Sequence, residues 1–244
     1  MSITRNCGVC DEARDIKIVG ERRYVLKLRD GTDFIFHHID AICNSCGFLF
    51  SRVVPCEEEL LRYYLNYPGC AENFDTAARI SKIREYADRG SRIKCVSEGD
   101  NFNGAMTDAG FIIADTDLDI ITYYYILEHV VDFKSMIVDD ITKLRDGGYV
   151  IIEVPDFMGF PTAALYPEHL NYFTIHHLLM AMRSLGFSHI ESIRAHSRPF
   201  GFAAIFQYFK GNPIAQIISS NYIRFKAPSY TINGVTYSNR AENL

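Results

Sequence analysis

DIITYYYILEHVVDFKSMIVDDITKLRDGGYVIIEVP, residues 119–155, is the stretch on which the fold turns. Asp119–Ile126 is strongly β-prone, and Val131–Leu144 carries apolar residues at helical spacing. Asp146-Gly147-Gly148 closes that helix. Tyr149–Val154 is a second, buried-type strand, stopped by Pro155, which has no N–H to give to a ladder. Continuous apolar strands joined by a helix of this length indicate a parallel sheet covered on both faces.

The pattern continues outward in both directions. Upstream, Ile93–Val96 reads as a short buried strand, followed by a Gly99–Gly104 turn and a helix ending at Ala109-Gly110. Downstream, Thr174–Leu185 is a helix capped by Gly186, and Ile190–Ala195 with Ala203–Tyr208 form a closing antiparallel pair. Residues 56–89 are helical: CEEELLRYYLNY brings Leu60, Leu61, Tyr64 and Leu65 to helical spacing, with glutamates in the first turn where the helix dipole favours them. Pro68-Gly69 ends that helix, and a second one over Asp75–Ala87 closes at Gly90. Tyr123–Tyr125 reads as buried strand, and Asp139-Asp140 as the solvated face of a helix.

The 244 residues are 48% hydrophobic and 23% charged, which excludes disordered and fibrous classes. A net charge of −5 gives no global attraction to nucleic acid or anionic lipid, so neither is expected as a partner. No apolar run reaches the length of a membrane span, and MSITRNCGVCDEARD lacks the apolar centre of a secretory signal. A cytoplasmic location is the resulting expectation.

Residues 1–50 form a small β-rich module, with strands at Ile16–Val19, Arg22–Leu28 and Asp33–His37 and a hairpin signal at Asp30-Gly31. Cys7, Cys10, Cys43 and Cys46 make two C-x-x-C units at its ends. An odd cysteine total in a chain read as cytoplasmic argues for metal rather than disulfides. Four thiolates are the soft set that tetrahedral Zn²⁺ prefers, and they close its shell, so the role is structural. Metal binding supplies roughly 10–16 kcal/mol that a module this small cannot draw from its own core. His37 and His38, just ahead of the second knuckle, read as ordinary strand residues.

ILEHVVDFKSMIVDDITKLRDGGYVIIEVPD (126–156) resembles the second half of class I S-adenosylmethionine (SAM) methyltransferases. LYPEHLNYFTIHHLLMAMRSLGF (165–187) is similar to a Glu-His-Leu-x-Tyr-Phe segment of methyltransferases in sugar and polysaccharide pathways. With the cysteine module and the tyrosine-rich helix (Tyr63, Tyr64, Tyr67), the chain looks like sugar C-methyltransferases acting on nucleotide-linked deoxysugars. The resemblance implies a Rossmann-like α/β sheet behind a zinc ribbon, SAM as cofactor and a sugar or nucleotide-sugar acceptor. It implies Ser97, Gly99, Asn101 and Glu128 at the cofactor, and an acid–base unit of Tyr166, Glu168 and His169. His129, after the Asp119–Ile126 strand, falls at the carboxyl edge of the sheet, where α/β proteins place ligands. His169 is the candidate base, since imidazole titrates near neutrality. Tyr64 and Tyr67 are placed to close over the acceptor.

The residues depart from that family on the cofactor side. In IKCVSEGDNFNGAM, Cys95 stands where an acid is usual, and Ser97 and Asn101 replace two glycines of the glycine-rich turn that approaches the methionine part of SAM; Gly99 keeps its place. The family also carries two further βα units, on the order of 50 residues, where this chain has only the segment 99–128. Phe111–Asp115 is not read as the missing second strand, because a strand beyond the first would have to recross the sheet end in a few residues. A reduced sheet is therefore expected, with the ribose- and adenine-binding edges lost.

The expected organisation is a ribbon over 1–55, a helical lid over 56–90, a Rossmann-like domain over 91–210 and an extension over 211–244 that packs on the core or mediates homo-oligomerisation. Two functions stay open: SAM-dependent methylation of a sugar, or a degenerate relative without SAM that scaffolds or performs acid–base chemistry such as epimerisation. The firmest chemical expectation is zinc. Metal analysis of protein purified without chelator should find one zinc per chain, and its absence would remove the ribbon.

Overall fold

The computed structural model describes residues 2–66, 75–97, 101–159, 161, 166–194, 201–210, 230–232 and 235–237. Gly99, Tyr67 and most of the 211–244 extension lie outside the described residues. The elements in chain order are β1 (Ser2–Thr4), β2 (Ile16–Lys27), β3 (Asp33–Cys43), β4 (Leu49–Pro55), α1 (Glu57–Asn66), α2 (Thr76–Ile83), β5 (Arg92–Ser97), α3 (Asn101–Asp108) and β6 (Ile112–Ile113). They continue with β7 (Leu118–Tyr124), α4 (Phe133–Ile141), β8 (Leu144–Pro155), β9 (Asn171–Tyr172), α5 (Ile175–Ser184), β10 (Phe187–Arg194) and β11 (Gly201–Tyr208). A short hairpin, β12 (Tyr230–Ile232) with β13 (Val235–Tyr237), follows. No described helix is long and apolar enough to cross a membrane.

The main sheet runs β10-β11-β8-β7-β5-β6. Strands β6, β5, β7 and β8 are parallel, and β11 runs antiparallel to both β8 and β10, giving the closing antiparallel pair that the terminal apolar segments lead one to expect. Successive side chains point to opposite faces. Ile121, Tyr123, Val150 and Ile152 face Phe133 and Ile137 of α4 and Leu178 and Met182 of α5. Ile120, Tyr124 and Ile151 face Ile83 of α2 and Phe102 and Met106 of α3. This is a mixed α/β, Rossmann-like sheet covered on both faces. Side-chain oxygens start the helices: Asp132 accepts from the Ser135 amide ahead of α4, and Thr174 from His177 ahead of α5.

Two readings need correction. Ile112–Ile113 does form a parallel strand on the far side of β5, paired through Arg92↔Ile112 and Ile93↔Ile113. The crossing is feasible because the strand is a stub at the amino end of β5. Residues 114–117 need only pass two strand spacings of about 4.8 Å each, within reach of four residues at about 3.3 Å apiece. Asp140 is not solvated: it is 3% exposed and held by Lys94, Lys143 and the Tyr123 hydroxyl. Those donors hold its carboxyl below the usual carboxylate range despite burial. Tyr123, Tyr124 and Tyr125 are buried, in agreement with the strand reading.

The N-terminal sheet is the second layer. Its order is β1-β4-β3-β2, and β9 pairs antiparallel with β4 through Leu49↔Tyr172 and Phe50↔Asn171. A strand from the middle of the α/β region thus completes the ribbon's sheet. The ribbon also lies against α4 and α5: Cys7, Val9, Cys43, Phe48 and Phe50 share one apolar core with Phe133, Phe173 and Leu178. Gly8 sits so close to the Phe133 ring that a Cβ there would stand 2.8 Å from it.

At the carboxyl ends of β7 and β8, Arg79 of α2 meets Glu153, both 2% exposed, with N–O distances of 3.0 and 3.1 Å. The guanidinium also lies 4.1 Å from the Tyr124 ring centroid. Removing one member strands the other charge. Arg79→Ala should therefore lower stability by about 3–5 kcal/mol in urea unfolding. A loss under about 1 kcal/mol would show that the pair is not buried as described.

Candidate functional site

The turn after β7 and the segment before β9 meet at the carboxyl edge of the parallel strands, where α/β sheets place ligands. Their backbones are tied together. Leu170 and Asn171 amides donate to the Glu128 carbonyl at 2.7 and 3.1 Å, and the Asn171 side-chain amide donates to Leu127 and Val130 carbonyls at 2.8 Å each.

That join brings four sequence-predicted residues into one cluster. Glu128, His129 and His169 have ligand atoms all within 4.8 Å of one another. The two imidazoles meet edge to face, with centroids 4.9 Å apart. The Tyr166 ring lies 5.2 Å from the His169 ring, and Tyr64 of α1 presents its ring 6.3 Å from His129. His129 donates from Nδ1 to the Glu168 carbonyl at 3.1 Å, which turns Nε2 toward the Glu128 carboxylate, 3.9 Å away. Glu168 thus contributes at least its backbone. Glu128 and His169 are buried, whereas Tyr64 and Tyr166 are exposed and mark the open side. Of the residues implied for SAM, Ser97 ends β5 and Asn101 opens α3; Glu128 lies in the histidine cluster.

The ribbon holds the second half of this site through His38, read from the sequence as an ordinary strand residue, and through Arg5, Arg22, Asp40 and Tyr172, which the sequence did not mark. His38 Nε2–H donates to the Pro167 carbonyl at 2.6 Å, and its Nδ1 is 2.7 Å from the Ser51 hydroxyl. The Tyr172 hydroxyl donates to the His169 carbonyl at 3.0 Å and is itself held by Arg22, which pairs with Asp40. Arg5 donates to the carbonyls of Ser51, Val131 and Leu170. Alternating burial along β3 is the available signal: His38 and Asp40 share the inward face with Phe34 and Phe36. Arg79 was detectable in the same way, standing four residues before Ile83 on the buried face of its helix.

Cys7, Cys10, Cys43 and Cys46 converge as their spacing implies. The Cys7–Cys46 and Cys10–Cys43 sulfurs are 3.6 and 3.4 Å apart. Tetrahedral zinc with bonds of about 2.3 Å needs sulfurs about 3.8 Å apart, so the set fits that ion with small movement. A hydrogen bond from Cys46 holds the Cys7 thiol down at about 6, while burial pushes Cys10 up to about 12. His177 of α5 donates from Nε2 to the Cys46 carbonyl at 3.1 Å, and Lys134 of α4 reaches the Val9 carbonyl at 3.3 Å. His37 and His38 point elsewhere, toward Glu21 and Pro167.

The adenosyl half of a SAM site does not fit the described residues. Strand β6 ends beside Ile93, well short of the carboxyl end of β5, so Asp115 cannot reach the edge where a ribose would lie. Among the described residues no strand lies beyond β6. At the edge itself, Phe102 meets Tyr124 at 5.3 Å and Arg79 covers both rings. Burial pushes the Cys95 thiol up to about 11, so it supplies no anion in place of the usual acid.

No family model matches the chain, and no curated protein does. Among solved structures it is similar to a SAM-dependent methyltransferase from Archaeoglobus fulgidus, at 14% identity over 53% of this chain and 91% of that one, with a TM-score of 0.42. It is similar to NodS, an N-methyltransferase of Bradyrhizobium japonicum in complex with S-adenosylhomocysteine, at 11% identity over 62% and 97%, TM-score 0.42. A third is 1,6-didemethyltoxoflavin-N1-methyltransferase from Burkholderia thailandensis, at 13% identity over 56% and 80%, TM-score 0.42. The class that the strands themselves define is a Rossmann-like α/β protein. Its order β6-β5-β7-β8 follows the 2-1-4-5 portion of the doubly wound sheet with the third strand left out. What it does is decided by its own site.

Burial pushes His38 down to about 4. In the unfolded chain the group keeps its ordinary value near 6.5. Between these values the unfolded chain takes up a proton that the folded chain refuses. The contribution to stability is therefore complete above pH 6.5 and lost as pH falls toward 4. His38→Gln should shrink the stability difference between pH 7.5 and 4.5 by up to roughly 3 kcal/mol, read by urea unfolding at constant zinc content. An unchanged difference would place His38 in water in the folded state.

Proposed function

We propose that the chain acts on a sugar or nucleotide-linked sugar, and that its reaction begins by removing the proton next to a keto group. The C–H bond breaks, its electron pair forms a C=C bond while the carbonyl π pair moves onto oxygen as an enolate, and the proton passes to a base of the Tyr166–Glu168–His169 unit. Returning a proton to the same carbon completes exchange or epimerisation without any other reactant. The observation that carries this reading is the convergence of Glu128, His129 and His169 beneath exposed tyrosines at the carboxyl edge of the sheet. An imidazole pair beside a carboxylate offers both proton acceptance and stabilisation of the developing oxyanion. The sugar class rests on the resemblance of the 165–187 segment.

Methyl transfer from SAM to such a sugar is the second reading. The strand order of the parallel sheet favours it, and the packing of Phe102, Tyr124 and Arg79 at the cofactor edge counts against it.

Incubation of a nucleotide-linked keto-deoxysugar in deuterated water should show protein-dependent exchange beside the keto group, followed by mass spectrometry. His169→Ala should slow it at least 100-fold; full exchange in that variant would take the cluster out of the reaction. Calorimetric titration with SAM and S-adenosylhomocysteine separates the two readings. No heat at millimolar cofactor, with exchange present, supports the first, and saturable heat supports the second.

A further inference from the structure

We propose that Glu128, His129 and His169 form a second metal site, for one divalent cation of the zinc, cobalt or iron kind, apart from the four cysteines. The site itself stands on ligand geometry; only its chemical use rests on the proton-transfer reading above.

Two imidazoles and one carboxylate are a recurrent set for catalytic divalent metals, because three protein ligands leave positions for water or substrate. Their donor atoms lie within 4.8 Å of one another. Three donors each about 2.1 Å from one ion stand roughly 3–3.5 Å apart, so modest side-chain rotations complete the set. The supporting shell is in place. His129 gives its Nδ1–H to the Glu168 carbonyl at 3.1 Å. That fixes the tautomer which leaves Nε2 as the ligating nitrogen, on the side of Glu128 at 3.9 Å. Hydrogen bonds of this type orient most metal-bound histidines.

The backbone holds the ligands from both sides. Glu128 receives the Leu170 and Asn171 amides on its carbonyl, and the carbonyl of His169 receives the Tyr172 hydroxyl. The Glu128 carboxylate is 1% exposed, where a divalent charge is worth far more than in water. Solvent and substrate would enter past Tyr64 and Tyr166, which are 42% and 46% exposed. The contrast with the cysteine set is chemical: four thiolates close a shell, whereas two nitrogens and an oxygen leave one open. With a cation held there, the keto oxygen would be polarised by it, His129 and His169 would be ligands in place of proton acceptors, and the proton would pass to the Glu168 carboxylate or the Tyr166 oxygen instead.

The test is titration of Co²⁺ into full-length protein that carries zinc in the ribbon, followed by visible absorption and calorimetry. One further cobalt per chain is expected, with ligand-field bands and no sulfur-to-cobalt charge transfer, and at least 100-fold weaker in His129→Ala and His169→Ala. Where a variant loses ribbon zinc and with it the fold, the near-isosteric Glu128→Gln decides, with the same expected loss. No uptake at millimolar Co²⁺, or uptake unchanged in the variants, overturns the site. Exchange that survives a chelator able to strip the cobalt overturns the cation's part in the reaction and leaves the proton chemistry standing. Cobalt bound in the wild type with no exchange overturns the proton chemistry and leaves the cation site standing.

Discussion

Two residues, Asn171 and Tyr172, join the two sheets by pairing with Leu49 and Phe50 of the N-terminal sheet. Through that short antiparallel join, the segment carrying His169 belongs to the ribbon's sheet, while Glu128 and His129 belong to the α/β sheet. The Ser51 amide donates to Leu170, and Arg5 and His38 take the carbonyls of Leu170 and Pro167, so the strap's backbone polar groups are matched from the ribbon side. Buried backbone groups that lose such partners cost free energy comparable to a lost hydrogen bond each. The position of the His169 ring is consequently a property of both layers.

The same interface explains why a four-cysteine module sits so deep in the protein. Its knuckles pack on α4 through Gly8 and Phe133 and are gripped by His177 from α5. A metal held by the four cysteines would order, with the knuckles, the strands that carry His38 and Asp40 and the segment that carries Arg5. On the opposite face, α2 and α3 close over the parallel strands with a buried Arg79–Glu153 pair and stacked rings. The carboxyl edge there is filled by the side chains of Phe102, Tyr124 and Arg79. That part of the edge is core, and the neighbouring part carries exposed tyrosines above ionisable groups.

Much of this architecture was legible in residues 119–155, because long apolar runs with helical or strand period are decided locally, and the burial of Tyr123–Tyr125 and the β10–β11 pair followed from the same signals. The cysteine cluster was legible from spacing, since thiolate chemistry needs those four positions together. Glu128, Tyr166 and His169 were legible as candidates only through a family resemblance, His129 also through its place after a strand at the carboxyl edge of the sheet, and nothing local showed that they touch. What escaped were features set by pairing over long sequence distance. β6 and β9 are too short to show any period, and the Asp140 carboxyl is buried because lysines from β5 and from the turn after α4 reach it. The recrossing argument against β6 failed because it assumed a full-length strand; a stub at the amino end has little to cross.

The central claim is that the ribbon builds the histidine site. The direct test is NMR of the His129 and His169 imidazoles in protein carrying ribbon zinc alone, recorded before and after the zinc is stripped. Shifting or broadening of both rings together with the ribbon amides is the predicted result. Collapse of the ribbon signals with the two imidazoles unchanged would contradict it.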